Sequence, residues 1–145
     1  PKHQDWFDVK VGNVRLTDVD IPGYFSTKEL HVGGLWINDV LLQNLKNRKI
    51  PVEPHIVPMI YEGLQKAPVR FKIDTASIAN FSVVYEELPV KGDKPGKLYF
   101  TDMNGQFSGL TNIVSYPEQF IRLHADGNLM GSGHFTATWQ LPVDS

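Results

Sequence analysis

The sequence predicts a mainly β protein: an antiparallel, bent or meandering sheet with an internal repeat, groove-like or sandwich-like, and one short helix around residues 58–66. Three observations lead there. Apolar and polar residues alternate along most of the chain, a fifteen-residue stretch recurs with its apolar phase intact, and a four-residue signature punctuates the strands.

Alternation comes first. Phe7, Val9 and Val11 are separated by Asp8 and Lys10; Val69, Phe71 and Ile73 by Arg70 and Lys72. Phe81, Val83 and Tyr85, then Leu98 and Phe100, then Phe135, Ala137 and Trp139 keep the same habit. Period two in residues rich in Val, Ile, Phe and Tyr is the pattern of strands with one buried face, and about ten short strands are expected. Pro58 to Lys66 departs from it, with Pro at a helix start, Ile60 and Leu64 four apart, and Pro68 as the stop. Lys46 to His55 reads as a surface loop. Gly92 to Gly96 and Asp126-Gly127-Asn128 read as hairpin turns, and Gly23 beside Pro22 as a further break.

The repeat lays residues 7–21 over 69–83, an offset of 62. Every apolar position of the first copy falls on an apolar position of the second, and Asp18 falls on Asn80. Within it runs a finer signature: apolar, any residue, Asp or Asn, apolar. It occurs as Leu16-Thr-Asp-Val19, Ile37-Asn-Asp-Val40, Ile78-Ala-Asn-Phe81, Phe100-Thr-Asp-Met103 and Leu110-Thr-Asn-Ile113. A step of three turns a strand's next apolar residue to the wrong face unless something absorbs the extra residue. Asp and Asn suit a bulge or tight turn there, because they tolerate unusual backbone angles and bond nearby amides. The sheet is therefore expected to bend repeatedly while turning the same face inward.

With 145 residues, one β-rich domain spanning 1–145 is expected. The chain begins at Pro1 and reads as a fragment of a longer protein. A formal charge of −2 argues against the concentrated basic surface that nucleic acid needs, while leaving room for a local patch. There is no cysteine, so thiolate metal sites, disulfides and cysteine nucleophiles are excluded. No apolar run is long enough to span a bilayer.

The search for chemistry yields little. His124, His134 and Asp126 form the one conceivable ligand cluster, without any His-x-His or His-Glu-x-x-His spacing. Asp18 and Asp20 read as a bend residue and a solvated neighbour. Gly131-Ser-Gly133 is too short for a nucleophile elbow. Lys46, Arg48 and Lys49, with Lys91, Lys94 and Lys97, read as solvated loops, or less simply as attraction to anionic head groups. Trp6, Trp36 and Trp139 are expected in the core, with Trp36 the best candidate for an exposed aromatic at a partner or lipid surface. No catalytic residue, metal or cofactor is expected.

Phe71-Lys-Ile-Asp-Thr-Ala-Ser-Ile-Ala-Asn-Phe-Ser-Val-Val-Tyr-Glu-Glu87, then Gly96-Lys-Leu-Tyr-Phe-Thr-Asp-Met103 and Leu110-Thr-Asn112, resembles a module of the AsmA-like family, repeating β-groove envelope proteins of Gram-negative bacteria, especially their Bacteroidetes members. The resemblance is clearest over residues 69–113. It implies a periplasmic segment, held to the inner membrane by an anchor outside this chain, that lines a hydrophobic groove for phospholipid in outer-membrane biogenesis. Its implied partners are lipid acyl chains and other segments of the same longer protein. The groove candidates are Leu16, Ile37, Ile78, Phe81, Val83, Phe100 and Phe107. The rival expectations are a β-sandwich binding or adhesion module for a glycan or an envelope protein, and an enzyme using His124, His134 and Asp126.

Overall fold

The computed structural model describes residues 6–49 and 64–143. They form six strands, β1 (Trp6–Val19), β2 (Glu29–Asn47), β3 (Arg70–Leu88), β4 (Gly96–Thr111), β5 (Phe120–Leu129) and β6 (Gly133–Pro142), with one helix, α1 (Ile21–Thr27). The strands lie in sequence order in a single sheet that does not close, so β1 and β6 are its edges. The second sheet that a sandwich requires is not found among the described residues.

Six long strands replace the ten short ones expected, because the signature bends strands without ending them. Asp18, Asp39, Asn80 and Asp102 all take left-handed backbone angles, with φ of 52°, 58°, 54° and 51°. Each lies inside a strand. A left-handed residue in extended chain resets the pleat, so apolar residues three apart, such as Leu16 and Val19, return to one face. Glycine across the strand pair makes room. A Cβ on Gly33 would stand 2.8 Å from the Asp18 Cβ, and one on Gly12 2.8 Å from the Asp39 Cβ. β1 and β2 thus bend together with no slip in register. Between β3 and β4 the register shifts around Phe81, which makes true bulges.

The fifth signature does different work. Asn112 is not left-handed; it stands just past the end of β4 and ties three segments together. Its Oδ1 accepts from the Phe71 backbone N–H at 2.8 Å, and its Nδ2 donates to the Val69 and Leu64 carbonyls at 2.9 and 3.2 Å.

Three expectations need correction, and a fourth falls largely outside the described residues. β2 and β3 run parallel, the other neighbours antiparallel; the twenty-two residues between Asn47 and Arg70 are ample for a parallel crossover. Asp126-Gly127-Asn128 lies within β5, and the chain reverses at Met130 and Gly131, with φ of 54° and 76°. Gly127 answers packing there, since a Cβ would come within 2.5 Å of Met103 Cγ. Ile21 does not continue a strand as its counterpart Val83 does. Asp20 caps α1 instead, its Oδ1 accepting from the Gly23 backbone N–H at 2.9 Å, with Pro22 in the first turn. Of the helix expected around 58–66, residues 58–63 lie outside the described residues; Leu64 and Gln65 are helical.

Among the described residues the buried apolar side chains are few: Val32, Ala76, Ile121 and Val143. Ile121 and Val143 seal the end of the sheet where β4 stops and β5 starts. There the Val143 N–H donates to the Gln119 carbonyl at 2.9 Å and Gln65 Nε2 donates to the Val143 carbonyl at 2.6 Å.

Candidate functional site

The register assembles one apolar face from all six strands. A row across the sheet reads Leu16, Leu35, Ala76, Phe107, Leu123, Trp139. The next reads Val14, Ile37, Ile78, Gly105, Ala125, Ala137. Beyond the bends, Val9, Leu42, Val83, Phe100 and Leu129 form another. The left-handed residues make this continuity possible, since without them each strand would turn half its apolar residues to the other side.

Over β3 to β6 the face is concave, with a hollow of about 460 Å³. Ile78, Phe81, Val83, Phe100, Phe107 and Trp139 are among its walls, and Asn104 is the one polar side chain among the described lining residues. Phe100 and Phe135 meet edge to face, centroids 6.0 Å apart. Five of the seven groove candidates line this hollow. Leu16 and Ile37 do not, but stand in the same cross-strand rows on β1 and β2. None of the seven is fully buried: six are half-buried and Leu16 is 49% exposed. Toward β1 the face opens further, with Val14 57% and Phe7 63% exposed. Among the described residues, apolar surface on this scale exceeds ordinary scatter on a protein exterior.

Two of the tryptophans are more exposed than expected. Trp6 and Trp139 are exposed. Trp36 does project from the face opposite Leu35 and Ile37, but it is half-covered. Its ring lies over Gly34, which has no side chain to obstruct it, and the Arg15 guanidinium sits 4.7 Å from its centroid.

The opposite face is polar. Ser77, Gln106, Ser108, Arg122, His124 and Thr138 border a shallow depression of about 450 Å³. The three members of the conceivable metal cluster point to separate partners. His124 Nδ1 is hydrogen-bonded to Thr138 Oγ1 at 3.0 Å and His134 Nδ1 to Asn128 Oδ1 at 3.3 Å. Asp126 Oδ2 accepts from Asn104 Nδ2 at 3.4 Å. Among the described residues, no three His, Asp or Glu side chains stand close enough to hold a metal ion.

The sequence did not reveal a set of cross-strand Asp–Asn pairs. Asn80 Nδ2 donates to Asp39 Oδ1 at 2.6 Å, Asn128 Nδ2 to Asp102 Oδ2 at 3.2 Å, and Asn104 Nδ2 to Asp126. The signature marked only Asp39, Asn80 and Asp102 of these six residues, and pairing any of them requires the register.

The two basic clusters meet where β2 ends beside the β3–β4 turn. Arg48 Nε contacts Glu87 Oε1 at 2.7 Å, Lys49 Nζ contacts Asp93 Oδ1 at 2.7 Å, and the Lys97–Glu86 pair is looser at 3.8 Å. A hydrogen bond from the Tyr85 hydroxyl, seconded by Arg48, holds the Glu87 carboxyl below its ordinary range; Lys49 does the same for Asp93. Arg48, Lys49 and Lys97 thus pair with carboxylates around this turn. None of this charge lies among the hollow's described lining residues.

No helix among the described residues is long and apolar enough to cross a membrane. The chain matches no protein-family model, no curated protein and no solved structure in the comparisons made with each.

Proposed function

We propose that this chain is a non-catalytic groove segment that shelters lipid acyl chains, as a periplasmic AsmA-like protein handling phospholipid would require. One observation carries the reading: a single face is apolar in row after row across six strands, and its concave part is walled almost wholly by hydrocarbon. Such a face solvates a flexible apolar guest along its length and offers nothing to grip a head group. An acyl chain laid in it removes on the order of several hundred Å² of apolar surface from water. That is worth about 5–10 kcal/mol before ordering costs, which leaves weak to moderate affinity.

The test is a titration of the folded chain with fluorescent fatty acids of increasing length. Affinity is expected to rise with chain length, to tolerate changes of head group, and to vary little with salt, because the contact is apolar. Affinity independent of length, or governed by head-group charge and ionic strength, contradicts the reading.

A further inference from the structure

The edge strand β1 carries an unmatched half of a pattern that is complete elsewhere in the sheet. Asp39, Asp102 and Asp126 each accept a hydrogen bond from an Asn on the neighbouring strand. The side chain of Asp18, left-handed like Asp39 and Asp102, has no hydrogen-bond partner among the described residues. Its place in the sheet gives the reason: β1 has β2 on one side and no described strand on the other.

The internal repeat shows what fits on that free side. β1 corresponds to β3, with Asp18 over Asn80, and β2 to β4, with left-handed Asp39 answering left-handed Asp102. β1 pairs antiparallel with β2 as β3 does with β4. The edge of β3 that corresponds to the free edge of β1 is therefore the one that takes β2. There β2 runs parallel, with Ile37 beside Ile78, Asn38 beside Ala79 and Val40 beside Phe81. Subtracting the offset of 62 from the β3 partners places Ile37 of a β2-like strand beside Leu16, Asn38 beside Thr17 and Val40 beside Val19.

We propose that the free edge of β1 is a docking edge for an extended polypeptide strand that runs parallel to β1, alternates apolar residues, and carries Asn at its left-handed bend opposite Asp18. The Asn follows from the pairs: at the β2–β3 junction the carboxylate is on the incoming strand and the amide on β3, whereas β1 presents the carboxylate itself. A strand with Asp at that point brings two carboxylates together; a strand with Asn supplies the missing donor. Backbone pairing along the fourteen residues of β1 gives the affinity, and the apolar rows continue onto the new strand. The proposal stands independently of what the apolar face binds.

The test uses the whole chain and a synthetic peptide of the β2 sequence, residues 29–47, carrying Asp39→Asn and Asn38→Cys. The chain has no cysteine, so an added thiol reports one position. Docking on the free edge puts the peptide's thiol beside Thr17, and the Thr17→Cys chain is expected to cross-link. A peptide that merely displaces β2 sits antiparallel, with position 38 beside Asn13; the Asn13→Cys chain would then cross-link instead. The peptide carrying Asn at position 39 is expected to bind about fivefold more tightly than the one retaining Asp39, the weight of one charge-assisted hydrogen bond. Binding is measured with each cysteine chain after circular dichroism establishes that it is folded. Cross-linking through Asn13→Cys, no binding, or no preference for Asn over Asp each overturns the proposal.

Discussion

Replacing Asn80 separates the two things the signature residue does. Its backbone is left-handed at φ 54°, and its side chain donates to Asp39 at 2.6 Å. Asn80→Gly keeps the backbone unstrained and removes the hydrogen bond, a loss of about 1 kcal/mol. Asn80→Val removes the same bond and also puts a β-branched residue in left-handed geometry, which costs about 1–2 kcal/mol more. The two variants are therefore expected to differ by about 1–2 kcal/mol, which at an ordinary urea dependence separates their midpoints by about 1 M. Asp18 supplies a control. It has the same geometry but no described hydrogen bond, so Asp18→Gly is expected to be nearly neutral while Asp18→Val shows the backbone cost alone. Urea unfolding of all four, with unchanged denaturant slope, is the assay. Val at position 80 as stable as Gly would refute the reasoning that left-handed Asp and Asn residues hold the bends.

Other consequences concern the anchors and the charges. Asn112→Ala removes three hydrogen bonds joining Leu64, Val69 and Phe71, and is expected to cost about 2–3 kcal/mol, with hydrogen exchange accelerated first at the start of β3. Gly33→Val is expected to destabilise by at least as much as a typical core overpacking, about 1–3 kcal/mol, because its side chain would collide with Asp18; thermal melting reads it. Glu87 has a folded pKa below its ordinary 4.5, so its contribution to stability is present above that value and is lost as pH falls through the lower folded one. A carboxyl titration followed by NMR is expected to show Glu87 moving upward in both Tyr85→Phe and Arg48→Ala, since the Tyr85 hydroxyl and the Arg48 guanidinium each hold it down.

The fold was legible where periodicity and local backbone chemistry decide it. Alternation marked strands, and the step of three with Asp or Asn marked the left-handed positions at Asp18, Asp39, Asn80 and Asp102, because a residue's tolerance for such angles is local. What needs a partner strand was not legible. Gly33 and Gly12 look like ordinary turn residues until they face Asp18 and Asp39 across the pair. Gly127 suggested a turn for the same reason, although it answers Met103. The parallel pairing of β2 with β3 depends on a crossover with no clear period. Asp20 alternated with apolar neighbours and so read as strand, although Pro22 three residues before Phe25 suits a capped helix. As for the site, the candidates could be picked by phase, and five of the seven converge on one hollow. Their degree of exposure could not be, because the same alternation serves a sealed sandwich and an open sheet.

The measurement that bears most directly on the central claim is a methyl NMR titration of the isotopically labelled chain with palmitate. Shifts are expected in the methyl groups of Ile78, Val83 and Leu123 on the concave face, weakened by Phe81→Asp or Phe100→Asp in chains that remain folded. Methyl resonances of the sealed end, such as Val143, are expected to stay in place. A folded chain whose concave-face methyls do not respond to palmitate, or respond no more than the sealed end does, would contradict the account.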